Sequence, residues 1–199
     1  HAYLGEVNKW ISCFRDEGMT LPWSEDYIWQ MPVGSLQMNN INLDMFRAGV
    51  RGRPDAKIMY YVMPHWPGNR PPTWRRLFFG AVAHGMTMVN LFEFRPVQAA
   101  YTENHVSHNG MYAEILRSFR QLARFEDIVQ EGQVRSGQAG LWFSETSDIW
   151  SDNHGPFAPA KRALYTAIRH RQLPLDFIIE RDAVDGTLDQ YAVLYLTDA

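Results

Sequence analysis

Apolar residues recur at the three-and-four spacing of an amphipathic helix over 3–16, where Tyr3, Leu4, Val7, Trp10, Ile11 and Phe14 make one stripe and Gly18 lies just past the end. Residues 19–25 form a short apolar run that ends in acidic residues. Met31-Pro32-Val33-Gly34 then punctuates the chain, before a second helical pattern over 40–50 carried by Leu43, Phe46 and Val50. Residues 58–63 are continuously apolar and stop at Pro64, which predicts a buried strand. Thr73 can cap a helix that runs to His84 and is stopped by Gly85. A further strand is predicted over 87–94. The last strong pattern of this half is a helix over 111–131, with Tyr112, Ile115, Leu116, Phe119 and Leu122 on one face and Gly132 beyond it.

Helices and strands alternate, which predicts an α/β fold with parallel strands joined by crossover helices. Residues 133–138 turn polar and contain Gly, and a second α/β pattern follows: a strand over 139–144, a helix over 158–171 and strands over 175–180 and 192–197. The chain thus divides at that segment into 1–132 and 133–199. Three βα units do not close a barrel, and the second pattern stops within two residues of its last strand, so the sequence reads as part of a larger architecture.

Composition adds exclusions. With 199 residues, 46% hydrophobic and 14% aromatic, the chain has a globular make-up. A formal net charge of −3 builds in no attraction to nucleic acid or to an anionic membrane, and no apolar run reaches the about 18 residues of a membrane span. No targeting pattern opens the sequence. The single Cys13 makes neither an internal disulfide nor a cysteine metal site.

In parallel α/β folds, reacting groups gather at the C-terminal ends of the strands. Those ends carry Trp23-Ser24-Glu25-Asp26-Tyr27, Met63-Pro64-His65-Trp66 and Phe92-Glu93-Phe94-Arg95-Pro96. Carboxylates among stacking aromatics suit glycoside hydrolysis, in which one acid protonates the leaving oxygen while another carboxylate attacks the sugar or activates water. The catalytic candidates are therefore Glu93, Glu25 and Asp26, and the substrate-binding candidates are His65, Trp66, Trp74, Arg95, Trp23 and Glu103. A carboxylate at a strand end also serves as a helix cap or ion-pair partner, and Glu93 either pairs with Arg95 or faces a site. Glu103, His105 and His108 are metal-ligating residue types at a spacing that matches no metal motif, so no metal is assigned. An unrelated hydrolase or metalloenzyme using His65, His105 and His108 is the rival reading. No glycine-rich phosphate loop and no Gly-x-Ser-x-Gly elbow follows a strand, so no nucleotide or other cofactor is expected.

The run Val62-Met63-Pro64-His65-Trp66-Pro67-Gly68-Asn69, with Trp74, Ala83-His84-Gly85 and Asn90-Leu91-Phe92-Glu93-Phe94-Arg95, resembles the last strands of the catalytic barrel of family 42 type β-galactosidases. Residues 112–151, with Phe125-Glu126-Asp127 and Leu141-Trp142-Phe143-Ser144-Glu145, resemble that family's exit helix and the start of its trimerisation domain. The resemblance implies a partial (β/α)8 TIM barrel comprising its last three βα units, followed by a partial flavodoxin-like, glutamine-amidotransferase-like domain. It also implies a β-linked carbohydrate substrate and a homotrimer of the full-length protein. The family's acid/base Glu would lie on an earlier strand, and its nucleophilic Glu falls where this chain has Met63-Pro64-His65. That departure leaves two expectations: a divergent glycosidase using Glu25 or Glu93, or a noncatalytic carbohydrate-binding or assembly protein on a degenerate barrel.

Overall fold

The structure, a computed structural model, describes residues 9–26, 35–64, 69–92, 109–150 and 157–197. In chain order its first elements are α1 (Trp10–Arg15), β1 (Trp23–Glu25), α2 (Ser35–Gly49), β2 (Met59–Tyr61), α3 (Pro71–Ala83), β3 (Met88–Asn90), α4 (Asn109–Leu122) and α5 (Glu126–Glu131). Then come β4 (Ala139–Trp142), α6 (Glu145–Trp150), α7 (Phe157–His170), β5 (Leu175–Ile178), α8 (Glu180–Val184), a 3₁₀ turn (Thr187–Gln190) and β6 (Val193–Tyr195). All strand pairs are parallel, in two three-stranded sheets ordered β1-β2-β3 and β5-β4-β6. This is the mixed α/β architecture that the alternation of patterns predicts.

The residues pack as two compact units. Of the described residues, one unit takes those within Trp23–Leu43 and Lys57–Val134, and the other those within His1–Pro22, Asp44–Ala56 and Arg135–Ala199. On the C-terminal side the changeover falls within the polar segment 133–138.

In the unit of β1, β2 and β3, strand alternation divides the side chains between two faces. Tyr60 is buried and donates its hydroxyl to Asn39 Oδ1 on α2 at 2.9 Å, which marks the helix-covered face. Helices α3 and α4 meet through Trp74, Phe78 and Phe119, with Trp74 stacked on Phe78 at 5.2 Å between ring centroids. Helix α3 starts earlier than Thr73: Pro71 and Pro72 take its first two positions, where a missing N–H costs nothing, and Thr73 lies inside the first turn. It ends at His84, and Gly85 follows with φ +97°, the left-handed backbone that glycine adopts without penalty. The single helix predicted over 111–131 is two. The amides of Arg124 and Phe125 donate to carbonyls only three residues back, Phe125 leaves helical geometry, and Glu126 and Asp127 open a new first turn where acidic residues are favoured.

In the second unit, Tyr165 stacks on Phe177 at 5.7 Å and Phe143 meets the same ring edge-on. Gly140 in the central strand β4 has no room for a side chain, since a Cβ there would sit 2.7 Å from Ile178 Cγ1. Buried charges pair with one another. Arg15 forks onto Asp182 at 2.7 and 3.0 Å, and Arg51 approaches the same carboxylate at 3.1 Å. Arg47 bridges Asp44 and Asp176 at 2.8 Å each, and Tyr165 donates its hydroxyl to Asp44 at 2.7 Å. Helix ends use carboxylates distant in sequence. Lys9 gives α1 no side-chain cap, and Glu145 Oε1 instead accepts the backbone N–H groups of Ile11 and Ser12 at 2.8 and 3.2 Å. Glu180 in turn accepts the Ser144 hydroxyl at 2.7 Å and the Thr146 N–H at 3.0 Å.

Candidate functional site

The parallel register places Glu25, Tyr61 and Asn90 side by side at the C-terminal ends of their strands. Two residues back, Trp23, Met59 and Met88 form the next row on the same face, which is the more exposed one: Trp23 is 44% and Met88 41% accessible. The Trp23 and Tyr61 rings lie 5.5 Å apart and tilted, giving an aromatic platform beside the half-buried Glu25 carboxyl. Burial raises the Glu25 pKa above the ordinary carboxylate value.

Asp26, next in the chain, points elsewhere. It has no exposed surface, its Oδ1 accepts the Met63 backbone N–H at 2.9 Å, and its Oδ2 meets no partner. Loss of hydration pushes its pKa well above the usual range, and the neighbouring Glu25 charge adds to this, against the opposing pull of the Met63 amide. Asp26 is thus a buried acid whose surroundings favour its protonated form. Asn69, equally enclosed, donates its Nδ2 to the Met63 carbonyl at 2.7 Å, so Met63 is held at both its N–H and its C=O.

Trp74, grouped by sequence with the substrate-binding residues, has no accessible surface and donates its indole N–H to the Val62 carbonyl at 3.2 Å. A ring so enclosed packs the core and braces the end of β2. Of the remaining candidates, Glu93, His65, Trp66, Arg95 and Glu103 lie outside the described residues, as do His105 and His108. The structure therefore brings Trp23 and Glu25 together on one face and turns Asp26 and Trp74 inward. Tyr61 and Asn69 escaped the sequence reading, although Tyr61 lies in a strand whose alternation could have placed it beside Glu25. Among the described residues no three His, Cys, Asp or Glu side chains come together as a metal site, and no helix is long and apolar enough to cross a membrane.

Two substitutions test the state of Asp26. Asn keeps the Met63 N–H acceptor and mimics the protonated acid, so Asp26→Asn is expected to be at least as stable as the parent at pH 7. A raised folded-state pKa makes the aspartate's stability fall as pH rises above its unfolded value of about 3.9, so the asparagine's advantage should shrink on acidification toward pH 4. Asp26→Ala strands a buried amide and should lose about 1–3 kcal/mol. Urea titrations between pH 4 and 8 measure both, and an Asp26→Asn variant that loses as much as Asp26→Ala contradicts the raised pKa of Asp26.

No protein-family model matches the chain, and no curated protein sequence does. Solved structures do. The chain is similar to a β-galactosidase from the psychrophilic Marinomonas ef1, at 16% identity and a TM-score of 0.61, over 95% of this chain and 31% of that one. It is similar to a catalytic mutant of a GH42 β-galactosidase from G. stearothermophilus, at 13% identity and a TM-score of 0.68, over 94% and 30%. A β-galactosidase from Bacillus circulans sp. alkalophilus gives 15% identity and a TM-score of 0.52, over 81% and 35%. The chain spans about a third of the length of these proteins, and at such identities the likeness establishes a β-galactosidase-like fold.

Proposed function

We propose that this chain is part of a glycoside hydrolase-like protein that cleaves a β-linked glycoside by carboxylate acid/base chemistry. The observation that carries the reading is Glu25: a carboxyl of raised pKa beside the Trp23 and Tyr61 rings, at the C-terminal end of a parallel sheet whose fold is that of β-galactosidases. Aromatic faces stack on the C–H faces of sugar rings, and a carboxyl of raised pKa holds its proton more readily for donation to a glycosidic oxygen. In this reading Glu25 is the acid. Glu93 supplies the second carboxylate, and His65, Trp66, Arg95 and Glu103 complete the sugar site. The β1-β2-β3 unit corresponds to the last three βα units of a (β/α)8 barrel drawn from 1–132, and 133–199, with which the described residues of 1–22 and 44–56 pack, to the start of a flavodoxin-like domain. The order β5-β4-β6 supports the latter, because an all-parallel sheet whose first strand lies between its second and third is how flavodoxin-like sheets begin. A homotrimer of the full-length protein belongs to the same proposal.

A second reading, noncatalytic sugar binding or assembly on a degenerate barrel, is favoured by Met63. The strand end where the resemblance expects the nucleophile holds a fully buried thioether residue, locked by Asp26 and Asn69. Incubating the protein, as its gene encodes it, with 4-nitrophenyl β-D-galactoside and following nitrophenolate release decides between them. Turnover well above the uncatalysed rate supports the hydrolase. Galactoside binding by calorimetry without turnover moves the assignment to the second reading.

A further inference from the structure

Away from the strand ends, α5 stands on the surface with no residue buried, and Ile128 leaves 73% of its area to solvent. Gln130 fixes how the helix lies. Its Nε2 donates to the Thr87 carbonyl at 2.9 Å, just before β3, and a residue two positions from Ile128 lies across the helix from it. Ile128 therefore faces outward. Phe125, at the bend between α4 and α5, is 38% exposed, and Leu116 on α4 is 54% exposed, so large apolar side chains stand on the open side of both helices.

The charges around these side chains are sorted by sign. Arg117, Arg120 and Arg124 precede Phe125, while Glu126, Asp127 and Glu131 follow it, all six exposed. Arg117 is held by Glu114 at 2.9 Å, and the other five make no ion pair among the described residues. A basic block, an apolar centre and an acidic block in that order form a surface complementary to itself when a second copy is turned end for end. A partner carrying one sign of charge is repelled by half of it.

We propose that the open face of α4 and α5 joins two copies of this chain about a two-fold axis beside Phe125. With the second copy antiparallel, Arg120 comes opposite Glu131, Arg124 opposite Asp127, and the small, exposed Ala123 opposite Ile128, and each pair is made twice. Ile128 of each copy then covers the shallow surface depression lined by Arg75, Phe79, Gln121, Arg124 and Phe125, where phenyl rings replace water around it. The apolar centre drives association, and the outer charges fix its direction, since a parallel arrangement would set arginine against arginine. Such a contact is isologous. It differs from any three-fold contact and doubles whatever assembly the protein otherwise forms.

The test is sedimentation equilibrium of the protein as its gene encodes it. Two short helical segments per copy make a contact at the small end of specific interfaces, so the mass should double with a Kd of about 10–100 μM. Ile128→Asp should weaken this association about tenfold or more. Two charge swaps carry the argument further. Arg120→Glu with Arg124→Glu makes the whole face acidic, and Asp127→Arg with Glu131→Arg makes it basic, so each swapped protein alone should associate about tenfold more weakly or worse. An equal mixture of the two swaps restores every opposite-sign pair and should associate within about threefold of the parent. All the changed side chains are exposed, so unchanged far-UV circular dichroism would confirm that the fold is intact. Raising salt to about 0.5 M should weaken the parent's association. A mass that stays constant across the concentration range, a charge swap of parental association, or a mixture that fails to restore it overturns the proposal. The outcome is independent of the hydrolase assay, because none of the changed residues lies at a strand end.

Discussion

Asp182→Ala is expected to lower the unfolding free energy by about 3–5 kcal/mol, the loss seen when one partner of a buried charge cluster is deleted. The carboxylate has no exposed surface, receives the forked Arg15 guanidinium, lies 3.1 Å from Arg51 and accepts the Ile179 backbone N–H at 2.9 Å. Its removal leaves two arginines without their counter-charge and takes the cap from α8. The attraction itself need not be net favourable, because both charges were stripped of water to form the pair. A double change, Arg15→Met with Asp182→Leu, should therefore recover much of the loss while Asp182→Ala alone does not. Against a typical total of about 5–15 kcal/mol, the single substitution should bring the urea midpoint down sharply. A loss under about 1 kcal/mol would mean that water reaches and solvates the cluster.

That cluster shows what the sequence could not convey. Arg15 and Asp182 are 167 residues apart, and the Glu145 cap on α1 spans 134. No periodicity reports a contact of that range. Local signals served better. The run before Pro64 located β2, and the acidic residues following the apolar run of 19–25 put Glu25 at a strand end because hydrophobic strands in parallel sheets finish where polar loops begin. Residue type alone misled twice. Trp74 was grouped with sugar-binding aromatics, yet its place in the helical stripe of α3 beside Phe78 commits it to the core. Glu25 and Asp26 looked equivalent as neighbours, and it is the pleat that turns the first toward the exposed face and the second under Met63. The divided helix over 109–131 escaped notice because α5 continues the same apolar periodicity after a three-residue turn.

The same separation of the two neighbours shapes the expectation for catalysis. If Glu25 is the acid and Glu93 the second carboxylate, the two glutamine variants should fail in different ways. Glu25→Gln removes the proton donor, so turnover should fall by about 10²–10⁴-fold on substrates with a poor leaving group such as an alkyl galactoside. With a leaving group that departs without protonation, such as 2,4-dinitrophenolate, the loss should nearly vanish. Glu93→Gln removes the attacking or water-activating group, so its loss should be of similar or greater size with every leaving group. The pH profile supplies a second readout. Burial raises the Glu25 pKa, so the acid stays protonated to higher pH and parental activity should decline on the alkaline side as that proton is lost. In Glu25→Gln that alkaline decline should disappear, while in Glu93→Gln whatever rate remains should retain it. The distance between the two carboxyls sets the product stereochemistry, with about 5 Å giving retention and about 6.5–9.5 Å inversion, which NMR of the first-formed anomer reads directly. Near-parental turnover in both variants would remove the strand-end carboxylates from the chemistry and leave the sugar platform of Trp23 and Tyr61 as a binding surface alone.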